Sequence, residues 1–264
     1  MNKHLIEYAL HLADNALILG HRNSEWCGHG PVLEQDIAIT NISLDLIGQA
    51  RNFYQYAATS MNAQQVSPPA GVGDLDKTVT EDSFAYFRDS PDFKNVLLVE
   101  LPKGDWAQTI LRQFFFSSFQ KILFEKLKEG KDEQIAAIAI KGLKEVAYHL
   151  RWSSEWVIRL GDGTEESHSR VTKAVDELWS YTGEMFIPVD YELQLLKKRI
   201  APDVTSIKES WLQKVKEIFS EAMLKFPLTY LIHTGGKEGK HGEHLDHILK
   251  ELQSVARAYP TATW

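Results

Sequence analysis

A single cysteine, Cys27, stands in 264 residues, so no internal disulfide can form and a reducing cytoplasm is the expected address. Basic charge is also short. Lys and Arg number 29 against 36 Asp and Glu, a formal net charge of −7 that argues against a nucleic-acid binder. No stretch approaches the ~20 uninterrupted apolar residues that cross a bilayer as a helix, so no membrane span is expected. His, Glu and Asp interrupt the apolar runs of MNKHLIEYALHLADNALILGHR, which lacks the layout of a signal peptide. Neither a Gly-x-Gly-x-x-Gly nor a Walker pattern occurs, which leaves a Rossmann nucleotide site and ATP hydrolysis unsupported. What is present is the composition of an ordinary globular protein, 44% hydrophobic and 25% charged. Disorder is excluded for most of the chain.

Nearly every segment has helical rather than strand periodicity. Leu5, Tyr8, Ala9, Leu12, Ala16 and Leu19 fall on one face of a first helix over 3–21. Gly28, Gly30 and Pro31 break the pattern, and a second helix follows over 32–58 with Leu33, Ile37, Leu44, Ile47 and Tyr54 as its inward stripe. Residues 61–80, with Pro68, Pro69, Gly71 and Gly73, are expected to form a mobile surface linker. A short helix over 81–88 precedes an irregular segment bounded by Pro91 and Pro102. Asp105 then caps a helix over 106–128 whose ILRQFFFSSFQKILF is apolar almost all round, as a helix buried on several sides should be. Asp132 caps a fifth helix ending near Leu160, and helices over 165–186, 206–226 and 241–258 complete the chain. Four long helices, paired in sequence order, predict an all-α four-helix bundle with the later helices packed outside, as one domain over 1–264.

The second helix carries DLIGQAR, with Asp45, Gln49 and Arg51; the fifth carries EVAYHLR, with Glu145, His149 and Arg151. Both read acid-x-x-x-polar-x-Arg. Two helical hairpins related by a pseudo-two-fold axis produce such an echo, and carboxylate-bridged di-iron bundles are built that way; chance recurrence on long helices is the alternative. A working di-iron centre needs Glu-x-x-His on each of two helices and a lone Glu from each of the other two. Here Val146 stands three residues before His149 and Leu46 three before Gln49. The first helix brings only Glu7 and Asp14, and the fourth no carboxylate before Glu125. Iron would find too few hard ligands.

The motifs LADNALILGHRNSEWCGHGPVLEQDIAITNISLDLIGQARNFYQYAA, FKNVLLVELPKGDWAQTILRQFFF and IKGLKEVAYHLRWSSEWVIRLGDGT, with the tail TGGKEGKHGEHL and Trp264, resemble the C subunits of bacterial phenylacetyl-CoA epoxidases. The resemblance covers nearly the whole chain. It implies a ferritin-like fold, a structural and non-catalytic role in phenylacetate breakdown, and a related catalytic A subunit that holds the di-iron centre. Other subunits, including a reductase, complete the complex that it implies. An autonomous di-iron oxygenase or ferritin-type iron protein is the alternative.

No catalytic residue, metal ligand or cofactor is therefore expected in this chain. Asp45, Gln49, Glu145, His149 and Arg151 are read as a polar network in place of absent cations, sensitive by roughly 3–5 kcal/mol to loss of a buried partner. His241, His244 and His247 recur at i, i+3 and i+6 and suit a polar helix face or a contact between subunits better than a metal. Cys27 is read as a small buried thiol beside Trp26 rather than a nucleophile. Asp92, Phe93, Lys94 and Asn95 set an aromatic ring, an ammonium and an amide before the buried helix. They can hold the adenine and phosphates of an acyl-CoA or face another subunit; helix-entry packing by Phe93 with Lys94 solvated is the other reading. Seven tryptophans without chemistry of their own suggest association. The chain alone is expected to self-associate, and to bury more than about 2,000 Å² against the A subunit.

Overall fold

The computed structural model describes residues 2–64, 78–227, 231–260 and 262. Among them there are helices and no strands. Four helices form the bundle: α1 (Asn2–Ser24), α2 (Leu33–Gln64), α5 (Trp106–Leu127) and α6 (Glu133–Gly161). Between them lie α3 (Glu81–Tyr86) and α4 (Leu97–Glu100). α1 packs most extensively on α2, α5 on α6, and α2 and α6 join the two hairpins.

The caps expected from the sequence form. The Asp105 carboxylate accepts from Gln108 N at 3.0 Å while the Gln108 side chain accepts from Asp105 N at 2.9 Å, a reciprocal box that satisfies two otherwise free donors. Asp132 accepts from Ile135 N at 2.9 Å at the start of α6. α5 is buried on nearly all sides, with Ile110, Phe114, Phe115, Phe116 and Phe119 inside.

The rest of the chain wraps this bundle. α7 (Glu165–Leu178) and α9 (Lys208–Glu221) lie on α5, and α8 (Asp190–Leu196) lies on α1. α10 (Glu243–Leu252) and α11 (Ser254–Ala258) follow. Trp211 is 1% exposed, its ring 5.7 Å from Phe115 and its Nε1 donating to the Phe115 carbonyl at 2.9 Å. That bond satisfies the indole donor inside an apolar layer.

Several boundaries and faces differ from the sequence expectation. Leu33, Ile37 and Leu44 point outward, Ile47 is half-buried, and α2 instead buries Ile39, Ile42, Leu46, Ala50 and Phe53 beside Tyr54. The helix carries apolar residues on two faces, so periodicity alone cannot say which meets the core. The expected linker 61–80 mostly lies outside the described residues. Its first four residues continue α2, and Val79 N donates to Asn62 at 3.0 Å. The helix expected over 165–186 stops at Leu178 and continues as two 3-10 turns, Trp179–Tyr181 and Gly183–Phe186. α8 has no counterpart among the expected helices. Cys27 is exposed rather than buried.

A glycine-rich segment near residue 236 clips the outer layer to the loop before α4. Glu184 accepts from Leu97 N at 2.7 Å and from Gly235 N at 2.8 Å. A Cβ on Gly236 would stand 2.2 Å from the Asn95 carbonyl oxygen, so backbone meets backbone where no side chain fits. Gly236→Ala is expected to cost about 1–3 kcal/mol through this overpacking, read as a lowered midpoint in calorimetry. An unchanged midpoint would mean the segment is free to shift.

Candidate functional site

α2 and α6 run antiparallel, and residues four apart on each face the other helix at matched depth. This pairs the two halves of the echo crosswise. His149, fully buried, meets Asp45 through Nε2 at 3.0 Å from Oδ2. Gln49, 2% exposed, donates Nε2 to Glu145 Oε2 at 2.8 Å. Its Oε1 accepts from Gln120 of α5 at 2.9 Å. Asp45 and Glu145 are half-buried, so each chain of hydrogen bonds begins in the core and ends at the groove between the helices. Farther along α5, Gln113 accepts from Asn23 at 2.6 Å and donates to Ser117 at 2.7 Å.

This donor set does not fit a di-iron pair. Two of the inward groups are amides, the carboxylates of Asp45 and Glu145 are already engaged, and Leu46 and Val146 fill the positions where Glu would be needed with fully buried hydrocarbon. Among the described residues, no three His, Cys, Asp or Glu side chains converge as a metal-binding group. Two polar atoms of the cluster, His149 Nδ1 and Gln120 Oε1, have no hydrogen-bond partner among the described residues.

Of the residues singled out in the sequence, Asp45, Gln49, Glu145 and His149 are brought together. Arg151 is not: it is exposed, its guanidinium 5.7 Å from the Tyr148 ring. Sequence reasoning misses Gln120, Gln113 and Asn23. For Gln113 and Gln120 the signal is an amide inside the largely apolar run of α5; Asn23 lies in the polar stretch HRNSE and carries no such signal.

The segment 92–95 divides. Phe93 and Asn95 are fully buried; the Phe93 ring lies 4.1 Å from the Arg88 guanidinium, and Asn95 donates to Glu100 at 2.9 Å. Asp92 and Lys94 are half-buried, with Lys94 Nζ 5.6 Å from the Tyr191 ring. Of the three histidines near 244, His241 turns inward to Glu100 at 2.7 Å while His244 is half-buried and His247 exposed. Nearby, Lys237 and Glu192 pair at 2.9 Å with both side chains almost fully buried.

A second buried charged cluster also escapes the sequence reading. Asp14 and Arg88 face each other with neither side chain exposed, and Tyr54 donates to the same carboxylate. Burial works most strongly against the Arg88 charge, but Asp14, Tyr54 and Asp92 together outweigh it and raise the guanidinium pKa above its ordinary value. The sequence signal is Asp14 set within the run ALHLADNALIL, where most neighbours along the helix face are apolar.

Along residues 1–264 the chain matches a family model described as phenylacetic acid catabolic protein. It is 43% identical over 260 residues to the C subunit of the 1,2-phenylacetyl-CoA epoxidase of Escherichia coli (strain K12), covering 98% of this chain and 99% of that protein.

Proposed function

Because the chain belongs to the phenylacetic acid catabolic protein family, we propose that it is the non-catalytic structural subunit of a phenylacetyl-CoA epoxidase, pairing with and stabilising a related A subunit that carries the di-iron centre. One observation carries the non-catalytic half of this reading. The inward positions of the bundle hold Gln49, Gln120, Leu46 and Val146, and the acids beside them are spent on Gln49 and His149. Such a bundle keeps the shape of an oxygen-activating subunit while its interior is closed by its own hydrogen bonds. Its contribution to the reaction is then the surface it presents. Within 92–95, contact with an acyl-CoA falls to Asp92 and Lys94, since Phe93 and Asn95 are enclosed.

The test uses the purified chain with phenylacetyl-CoA, oxygen and an electron donor. No turnover and no stoichiometric iron are expected, and activity is expected when the A subunit and the reductase are added. Turnover by this chain alone, or about two iron atoms per chain with a carboxylate-bridged spectrum, would favour an autonomous di-iron oxygenase instead.

A further inference from the structure

α10 and α11 are held differently from the bundle. α10 buries Leu245, Ile248 and Leu249, and α11 buries no residue. Three cavities border them: one of about 510 Å³ beside Asp89 and Ser90, one of about 600 Å³ against α3, and one of about 290 Å³ at the start of α10. An element with few buried apolar side chains and open space on several sides opens at a lower free energy than a packed core.

Hydrogen bonds to residues 85–100 secure this segment. Gln253 donates to the carbonyls of Ala85 at 3.1 Å and Arg88 at 2.9 Å. Arg257 donates to the Arg88 carbonyl at 3.0 Å and pairs with Asp89 at 2.7 Å, an exposed ion pair that adds little. At the other end Gly242 N donates to Glu100 at 2.8 Å, and the His241 ring spans Glu100 at 2.7 Å and the Phe93 carbonyl at 3.0 Å. The side chains of His241 and Glu100 are each 2% exposed. Upstream the chain is fixed, because Gly239 has φ 81° and a Cβ there would stand 2.1 Å from the Pro91 carbonyl oxygen. Opening therefore begins after it.

Among these groups His241 is the one that changes charge near neutrality. Protonated, it donates from both nitrogens; deprotonated, one nitrogen turns a lone pair toward an acceptor. Burial opposes its charge most strongly, and Glu100, the Phe93 carbonyl and Asp14 together outweigh it and raise its pKa. His233, Lys240, Glu243 and His244 line the same small cavity, and Arg22 of α1 holds the carbonyls of Glu100 and His244. We infer that residues 241–258 form a strap that opens as a unit over residues 85–100 while the bundle stays folded, with the contact between His241 and Glu100 as its latch. The latch is closed below pH 6.5 and weakens as pH rises through the raised pKa of the folded chain.

Hydrogen exchange of the whole chain, read by mass spectrometry with each amide's own pH-dependent rate divided out, tests the strap. At about pH 6, peptides covering 243–258 are expected to be less protected than those of α5 and α6. By about pH 8 the strap should lose protection several-fold further while α5 stays unchanged. His241→Gln keeps one donor but does not titrate, so it is expected to leave the strap loosened at both pH values and to abolish the response to pH. Strap peptides as protected as α5, or losing protection in step with it, would overturn the separate unit. Strap protection that does not change with pH in the wild type, or changes as much in His241→Gln, would overturn the latch.

Discussion

Replacing Arg88 by methionine is expected to lower the unfolding free energy by about 3–5 kcal/mol, because it leaves Asp14 ionised and enclosed without its counter-charge. Arg88 Nη1 donates to Asp14 at 3.1 Å and to the Asp92 carbonyl at 3.0 Å, and its Nε donates to the Phe84 carbonyl at 2.7 Å. After the substitution Asp14 keeps only Tyr54 and the Lys94 backbone N–H, the latter at 2.8 Å. The carbonyls of Phe84 and Asp92 lose a donor as well, and unmade hydrogen bonds in the interior are costly. Urea unfolding followed by circular dichroism measures the loss. Adding Asp14→Asn to the same chain should recover part of it by removing the stranded charge. A loss below about 1 kcal/mol would show that water reaches Asp14 and that the cluster is not sealed.

Acidification is expected to act through His11. The ring is 1% exposed; burial chiefly pushes its pKa down to about 4, with Glu192 pulling upward and Lys237 downward. Its Nδ1 lies 2.7 Å from the Lys94 carbonyl, so the neutral ring already has a partner. The unfolded chain takes up the proton near pH 6.5 and the folded chain only near 4, so stability falls as pH drops through that interval. The loss from this group reaches about 2 kcal/mol by pH 5 and about 3 kcal/mol below pH 4. His241 acts on the other side of neutrality. Burial opposes its charge most strongly, but the hydrogen bond and charge of Glu100, with the Phe93 carbonyl and Asp14, together outweigh it and raise its pKa. Its two ring nitrogens face acceptors, Glu100 at 2.7 Å and the Phe93 carbonyl at 3.0 Å, an arrangement that suits the doubly protonated ring. The stability from that contact is present below pH 6.5 and is lost as pH rises through the folded pKa. Denaturant midpoints across pH 5–9 should pass through a maximum. His11→Gln should flatten the acid limb; an acid limb as steep as the wild type's would place the proton uptake elsewhere.

Long helices are readable because each repeats its pattern over several turns, and the caps at Asp105 and Asp132 are readable because capping is local. The crosswise pairs of Asp45 with His149 and Gln49 with Glu145 are legible for the same reason: equal spacing on two helices puts side chains at equal depth. The outward turn of Leu33, Ile37 and Leu44 is not, since α2 is apolar on two faces and only a neighbour decides between them. Nor is the fate of Glu184, Glu192 and Lys237. Their partners lie dozens of residues away across glycine-rich loops, where no periodicity links one position to the other. Phe93 and Asn95 carry chemistry suited to a ligand and spend it on Arg88 and Glu100.

Arg22 of α1 donates to the carbonyl of His244, a residue 222 positions later. A ribosome releases α1 long before it releases that partner. Until the segment around residue 240 has emerged, the guanidinium of Arg22 and the carboxylate of Glu100 lack partners that the finished fold supplies. Contacts of such long range close slowly and close last. The corner built by Arg22 and Glu100 is therefore completed only after nearly the whole polypeptide has left the ribosome, and a polypeptide halted before residue 240 is expected to lack the contacts that tie α1 and α4 to that segment.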